Sequence, residues 1–205
     1  MVKYWEKLGS TKLTVAGDTI TVAGFGARKS LMIIGILYSN AQGVRNISYK
    51  IQFNTDTGSN YSCATCANGG DGTDEDFINQ DGIYSKLNDN YDHYCQNYIV
   101  NVSDQEKLLI GECNTLNSAG EGTLNNRSEY IGKWANTSAQ ITTVTFEEPD
   151  VDGTTLFDVG SEVIVYGAAE SDSIEYPNLT NGTIFEESDT GKIYMFDGTS
   201  TWNEM

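Results

Sequence analysis

The stretch Tyr94-Cys95-Gln96-Asn97-Tyr98-Ile99-Val100-Asn101-Val102 runs into Ser103-Asp104-Gln105-Glu106 and returns as Lys107-Leu108-Leu109-Ile110-Gly111-Glu112-Cys113. Tyr94, Tyr98, Val100 and Val102 fall on alternate positions, the period of a half-buried strand rather than of a helix. Folding the two arms antiparallel about Asp104 sets residues equidistant from it opposite one another. Tyr98 then meets Ile110, Val100 meets Leu108, and Cys95 meets Cys113. A cross-strand disulfide at that last pair closes a short loop and stabilises by roughly 3 kcal/mol. The expected buried face of this hairpin carries Tyr94, Tyr98, Val100 and Val102.

The same period extends in both directions. Ile47, Tyr49, Ile51 and Phe53 alternate with Ser48, Lys50 and Gln52, which predicts one buried face and one wet face. Leu31 to Tyr38 is apolar on both parities, as a central strand is. Ile141 to Phe146 and Val163 to Tyr166 supply two more strands. Leu13 and Val15 before Gly17-Asp18, with Ile20 and Val22 after, predict a hairpin. About eight strands precede residue 170, with turn residues between them, so the fold class is all-β: an antiparallel β-sandwich or jelly roll. Ala67–Tyr91 and Asn114–Lys133 are polar and read as long surface loops, the first with a short helix near Phe77–Leu87. The sandwich is expected to span 1–169. Residues 170–205 read as an acidic arm with Pro177, then a β-hairpin built from Thr183–Glu187, Lys192–Phe196 and Trp202. Strands so few and short bury too little to stand alone, so this appendage should contact the sandwich or a neighbouring subunit.

Composition removes several function classes. The 205 residues carry 12 Lys+Arg against 29 Asp+Glu, a net charge of −17. Such a chain lacks the cationic clusters that phosphates require, so nucleic acid is not an expected partner, nor is an anionic membrane surface. No run approaches the ~20 apolar residues of a spanning helix, and no membrane insertion is expected. Met1 to Glu6 has no signal-type apolar core, so no N-terminal export signal is expected.

Local motifs point away from catalysis. Gly24-Phe25-Gly26-Ala27-Arg28-Lys29-Ser30 places Arg where a phosphate-binding loop needs Gly, and a strand follows it instead of a helix. Cys63-Ala64-Thr65-Cys66 can pair locally, stay reduced, or form half of a metal site, and Cys95 and Cys113 share those alternatives. Asp71, Asp74 and Asp76, with Asp81 nearby, gather hard oxygen donors suited to calcium, although a solvated acidic loop explains them without an ion. His93, between Asp92 and Tyr94, has no nucleophile in register. Glu147-Glu148 and Glu186-Glu187 are adjacent, so in a strand they point to opposite faces. No cofactor other than that candidate calcium is implied, and no catalytic residue is assigned. Seven Asn-x-Ser/Thr triplets begin at Asn46, Asn60, Asn101, Asn126, Asn136, Asn178 and Asn181.

Several stretches together resemble structural proteins of tailed bacteriophages and related prokaryotic viruses. They are Trp5-Glu6-Lys7-Leu8-Gly9 with Ala16-Gly17-Asp18-Thr19-Ile20, Ala27-Arg28-Lys29 before the apolar strand, and Phe53 to Ser62 with Asn68-Gly69-Gly70. Gly132-Lys133-Trp134-Ala135-Asn136 and Phe185 to Trp202 add to them. The resemblance implies a non-enzymatic virion component with a β-sandwich body: a capsid-surface, tail or fibre protein, assembled in the host cytoplasm. Its expected partners are further copies of itself, other virion proteins and, on a fibre, a host-surface glycan. One alternative is a carbohydrate-binding module using Tyr84, Tyr91 or Trp134 as a platform. Another is an extracellular surface-layer or filament subunit, suggested by the Asn-x-Ser/Thr triplets. Deleting residues 171–205 is expected to leave a folded protein that no longer assembles; normal assembly of the truncated chain in sedimentation would remove that role from the arm.

Overall fold

A computed structural model describes residues 4–39, 47–68, 75–89, 91–115, 126–147, 149, 157–168, 181–187, 189–198 and 201–205. The chain divides into two compact units, Met1–Glu170 and Ser171–Met205. The first contains β1 (Trp5–Lys12), β2 (Thr19–Ala23), β3 (Ser30–Leu37), β4 (Ile47–Phe53), β5 (Tyr61–Ala67), β6 (Glu75–Gln80), β7 (Ile83–Asp89), β8 (His93–Val100), β9 (Lys107–Thr115), β10 (Asn126–Trp134), β11 (Thr143–Glu147) and β12 (Glu162–Ala168). They form a large sheet ordered β1-β12-β3-β8-β9-β10-β5-β6 and a small sheet ordered β2-β11-β4-β7, antiparallel throughout. The protein is all-β and sandwich-like. Leu31, Ile33, Ile99, Leu109, Val163 and Val165 of the large sheet share one core with Ile20, Val22, Tyr49, Ile51, Phe53, Val144 and Phe146 of the small one.

The register about Asp104 is the one expected: Cys95 faces Cys113, Tyr98 faces Ile110 and Val100 faces Leu108. Asp104 itself adopts a φ of 61°, which its short polar side chain tolerates in a turn. The parity is the reverse of the expectation. Cys95, Asn97 and Ile99 point into the core, whereas Tyr94, Tyr98 and Val100 point outward. On β8 the covered parity, His93, Cys95, Asn97 and Ile99, is the more polar of the two, so alternation alone selects the wrong face.

Four further expectations are corrected. Leu13 to Val22 is not a hairpin: β1 joins β12 in the large sheet and β2 joins β11 in the small one. The chain crosses between sheets at this point, held by paired Gly17 and Phe157 backbone bonds of 2.9 Å each. The supposed loop Ala67–Tyr91 contains β6 and β7, and the helix near Phe77–Leu87 is instead two strands separated by Asp81-Gly82. Each half finds an open edge to pair with, β5 for β6 and β4 for β7, and that pairing outweighs local preference. The loop Asn114–Lys133 likewise contains β10, set between β9 and β5. The wet face expected for β4 is buried at Lys50 and Gln52. Lys50 Nζ lies 2.6 Å from Asp81 Oδ2 and 3.7 Å from Glu147, so its charge enters the protein with partners.

Packing inside the sandwich depends on two glycines of the large sheet, Gly111 against a neighbouring strand and Gly132 against the small sheet. A Cβ on Gly111 would overlap the Tyr130 ring, and one on Gly132 would lie 2.6 Å from Ile83. The missing Cβ at Gly111 leaves room for the Tyr130 ring, whose hydroxyl donates to Asn97 Oδ1 at 2.6 Å and sits 3.1 Å from that of Tyr49. Burial pushes the Tyr49 phenol up to about 12, so this bridge between sheets stays neutral.

One end of the sandwich is closed by polar side chains. Asn54 Oδ1 accepts from Thr142 N at 2.9 Å and Thr143 N at 3.1 Å. Asn101, fully buried, donates to Arg28 O and Ile141 O and accepts from Ile141 N at 2.7 Å. Asp56 accepts from Trp134 Nε1 at 2.7 Å, from Gly58 N at 2.9 Å and from Asn60 Nδ2. Tyr61 donates to Asp56 O at 3.1 Å and accepts from Phe53 N at 3.0 Å.

The second unit is a three-stranded antiparallel sheet, β13 (Ile184–Glu187), β14 (Lys192–Phe196) and β15 (Trp202–Glu204). Phe185, Phe196 and Trp202 pack ring to ring at 5.3–6.0 Å, while Ile184 and Phe185 remain mostly exposed.

Partial burial raises the Asp56 carboxyl, but the donors from Trp134, Gly58 and Asn60 outweigh it and hold its pKa below the ordinary value. A carboxylate depressed in the folded state stabilises above its unfolded pKa of ~3.9, and that contribution fades as pH falls through the folded value. Asp56→Asn is expected to cost about 1–2 kcal/mol at neutral pH and to flatten the acid end of the stability profile. Urea titrations from neutral to acid pH, followed by tryptophan fluorescence, test this.

Candidate functional site

The parity that buries Ile99 and Leu109 turns a second apolar set to solvent. Because paired residues in adjacent strands share a face, the register can be followed across the large sheet. Tyr166 of β12 pairs with Met32, Met32 with Tyr98, Tyr98 with Ile110, Ile110 with Ile131, and Ile131 with Ala64 of β5. This apolar row crosses six consecutive strands, roughly 24 Å at ~4.8 Å per strand. Lys7 of β1 extends it at one edge and Asp76 of β6 at the other. Tyr98 is 47% exposed, Ile110 66% and Ile131 58%, values unusual for large side chains in the middle of a sheet.

The flanks differ in character. On one side the next row is Gln96, Glu112 and Glu129; on the other it is Val100, Leu108 and Lys133. Lys133 pairs with Glu106 at 3.1 Å, and Trp5 reaches over from β1 to lie 6.3 Å from the Tyr98 ring. A hollow of about 810 Å³ opens along this surface, lined by Trp5, Tyr98, Val100, Leu108, Ile110 and Ile131. An apolar centre with a charged rim has the anatomy of a protein contact.

The residues singled out from the sequence are scattered. Asp71 and Asp74 lie outside the described residues. Asp76 is exposed on β6, and Asp81 is engaged elsewhere, bonded to Lys50 and, at 2.7 Å, to the Tyr84 hydroxyl. Burial would raise the Asp81 carboxyl, but those two partners outweigh it and hold it below its usual range. Cys95 and Cys113 are fully buried at disulfide distance, with Cα atoms 4.1 Å apart. Cys63 and Cys66 are not joined to each other. They stand three residues apart on β5 and so on opposite faces; Cys63 points inward, where its sulfur accepts from Tyr84 N at 3.4 Å. Burial pushes the Cys63 thiol up.

The sugar platform proposed from sequence does not form as drawn. Trp134 is 1% exposed in the core, Tyr84 is half-buried against Phe77, and Tyr91 alone of the three stays exposed. Asn101 cannot carry a glycan because its side-chain amide is fully buried and bonded on both atoms. Asn46 and Asn178 lie outside the described residues. Glu147 faces Lys50. The outward apolar row was the feature missed, and its signal was present: a buried Cys95–Cys113 pair requires Tyr98 and Ile110 to lie on the opposite face.

No family model, curated protein or solved structure matches this chain.

Replacing both Cys95 and Cys113 by alanine is expected to lower the stability of the oxidised protein by about 3 kcal/mol, from loop-closure entropy. Urea midpoints of the oxidised wild type and the double variant measure the difference.

Proposed function

We propose that this chain is a non-enzymatic structural component of a virus particle, a capsid-surface, tail or fibre protein. It binds further copies of itself and other particle proteins through the outward face of the large sheet. The observation that carries this reading is the six-strand apolar row from Tyr166 to Ala64, charged only at its ends. A passive building block needs such a surface.

The strand order supports the finer architecture of a jelly roll. With β5, β6, β9 and β10 set aside, the remaining strands form β1-β12-β3-β8 and β2-β11-β4-β7. The chain then alternates between the two sheets at every step except β4 to β7, the double wrap that defines that fold. Jelly rolls serve in viral coats and in lectins alike, so the architecture narrows the class without selecting within it. The apolar row favours the coat reading. Trp5, Tyr94 and Tyr98 also suit stacking on a sugar ring, which makes carbohydrate binding the second reading, with calcium at the acidic loop as its accompanying ion.

The net charge of −17 makes copies repel one another, so association through an apolar face should strengthen as salt screens that repulsion. Sedimentation velocity of the full-length chain at rising ionic strength is expected to show salt-promoted self-association. The double variant Ile110→Glu, Ile131→Glu should be monomeric with an unchanged circular dichroism spectrum. A wild type that stays monomeric at every salt concentration, as carbohydrate binding predicts, or a double variant that still associates, overturns the proposal.

A further inference from the structure

His93 and Cys95 are two residues apart on β8 and share its inward face, and Cys113 stands directly across from Cys95 on β9. All three are buried, and their donor atoms lie within 4.8 Å of one another. The small sheet covers them with aromatic rings. Tyr49 lies 6.3 Å from the His93 ring and stacks at 5.1 Å on Phe146. A cavity of about 250 Å³, lined by Leu37, Tyr38, Asp92, His93 and Thr115, opens beside the imidazole.

Two thiolates and one imidazole on a rigid pair of strands form a donor set for thiophilic d10 cations. Zinc takes such ligands tetrahedrally, and soft sulfur donors also select monovalent copper. We propose that His93, Cys95 and Cys113 form a redox-gated site for Zn²⁺ or Cu⁺: a disulfide when oxidised, a three-ligand metal site when reduced. In the reducing step a dithiol donates two electrons to the Cys95–Cys113 bond. That S–S bond breaks, the dithiol closes to its own disulfide, and its two protons pass to the two cysteine sulfurs. Binding of Zn²⁺ then forms two Zn–S bonds and one Zn–N bond and releases the two thiol protons to solvent.

The gate follows from the sharing of atoms. Sulfurs joined to each other cannot serve as two thiolate ligands, so the two states exclude one another. A chain made in a reducing compartment would hold the metal; in an oxidising one a small-molecule disulfide would take the two electrons and, with two protons from solvent, leave as two thiols while the Cys95–Cys113 bond closes and the metal ion is released.

The test uses the full-length Cys63→Ser, Cys66→Ser double variant, in which Cys95 and Cys113 are the remaining thiols. After anaerobic reduction with dithiothreitol and desalting, it is equilibrated with Zn²⁺, and bound metal is measured by elemental analysis. Co²⁺ serves as a spectroscopic probe of thiolate ligation. About one zinc per chain is expected in the reduced protein and none in the oxidised protein, with the circular dichroism of the sandwich retained. Adding His93→Gln, which keeps a polar side chain of similar size, should weaken binding at least tenfold. Equal uptake by the reduced and oxidised forms, or full affinity in the His93→Gln variant, overturns the proposal. The reduced-against-oxidised comparison needs no further substitution, so it decides the matter even if that variant folds poorly.

Discussion

The pairing of β8 with β9 about Asp104 is the constraint on which the remaining structure rests. Side chains in a strand alternate strictly, so a single register sets three things together. It brings Cys95 opposite Cys113, sends Ile99 and Leu109 into the core, and sends Tyr98 and Ile110 out. A slip of one residue would exchange the two faces and separate the sulfurs. The crosslink and the outward row are therefore consequences of one alignment, and the β3 and β10 pairings carry it across the sheet.

A second constraint acts at the end of the sandwich, where strands stop and backbone groups would be left without partners. Asn54, Asp56, Tyr61 and Asn101 take up that role. Each is polar yet wholly or partly buried, and each satisfies backbone or indole groups that solvent no longer reaches. The stretch Phe53 to Ser62, prominent in the sequence for its run of turn residues, thereby acts as a clasp. Its Asp56 carboxylate holds the Trp134 indole nitrogen while the indole ring packs on Phe53 and Tyr61.

How much of this was legible in the sequence depended on whether the deciding partner lay nearby. The β8–β9 register was readable because turn and arms are contiguous. The all-β class followed from period-two patterning across most of the first unit. The crossing from β1 to β2 was not readable, because the better partners, β12 and β11, lie more than a hundred residues away. β6, β7 and β10 read as loop because acidic, basic and amide side chains dominate them and their buried positions, Ser85, Ser128 and Tyr130 among them, include few aliphatics. Burial of Lys50 depended on Asp81 and Glu147, brought together only by folding. The outward row is obscured because apolar alternation ordinarily marks the core-facing side of a strand. Of Asp71, Asp74 and Asp76, Asp76 alone falls among the described residues.

The row that crosses the large sheet begins at Lys7 and ends at Asp76. A greasy band with a cation at one terminus and an anion at the other has polarity, like a bar magnet. Laid head to tail against its own image, it sets ammonium beside carboxylate at both extremities; laid head to head, it sets like charge on like. Apolar burial alone would accept either arrangement. Were copies to meet through this face, those two terminal side chains would act as a compass that favours one orientation.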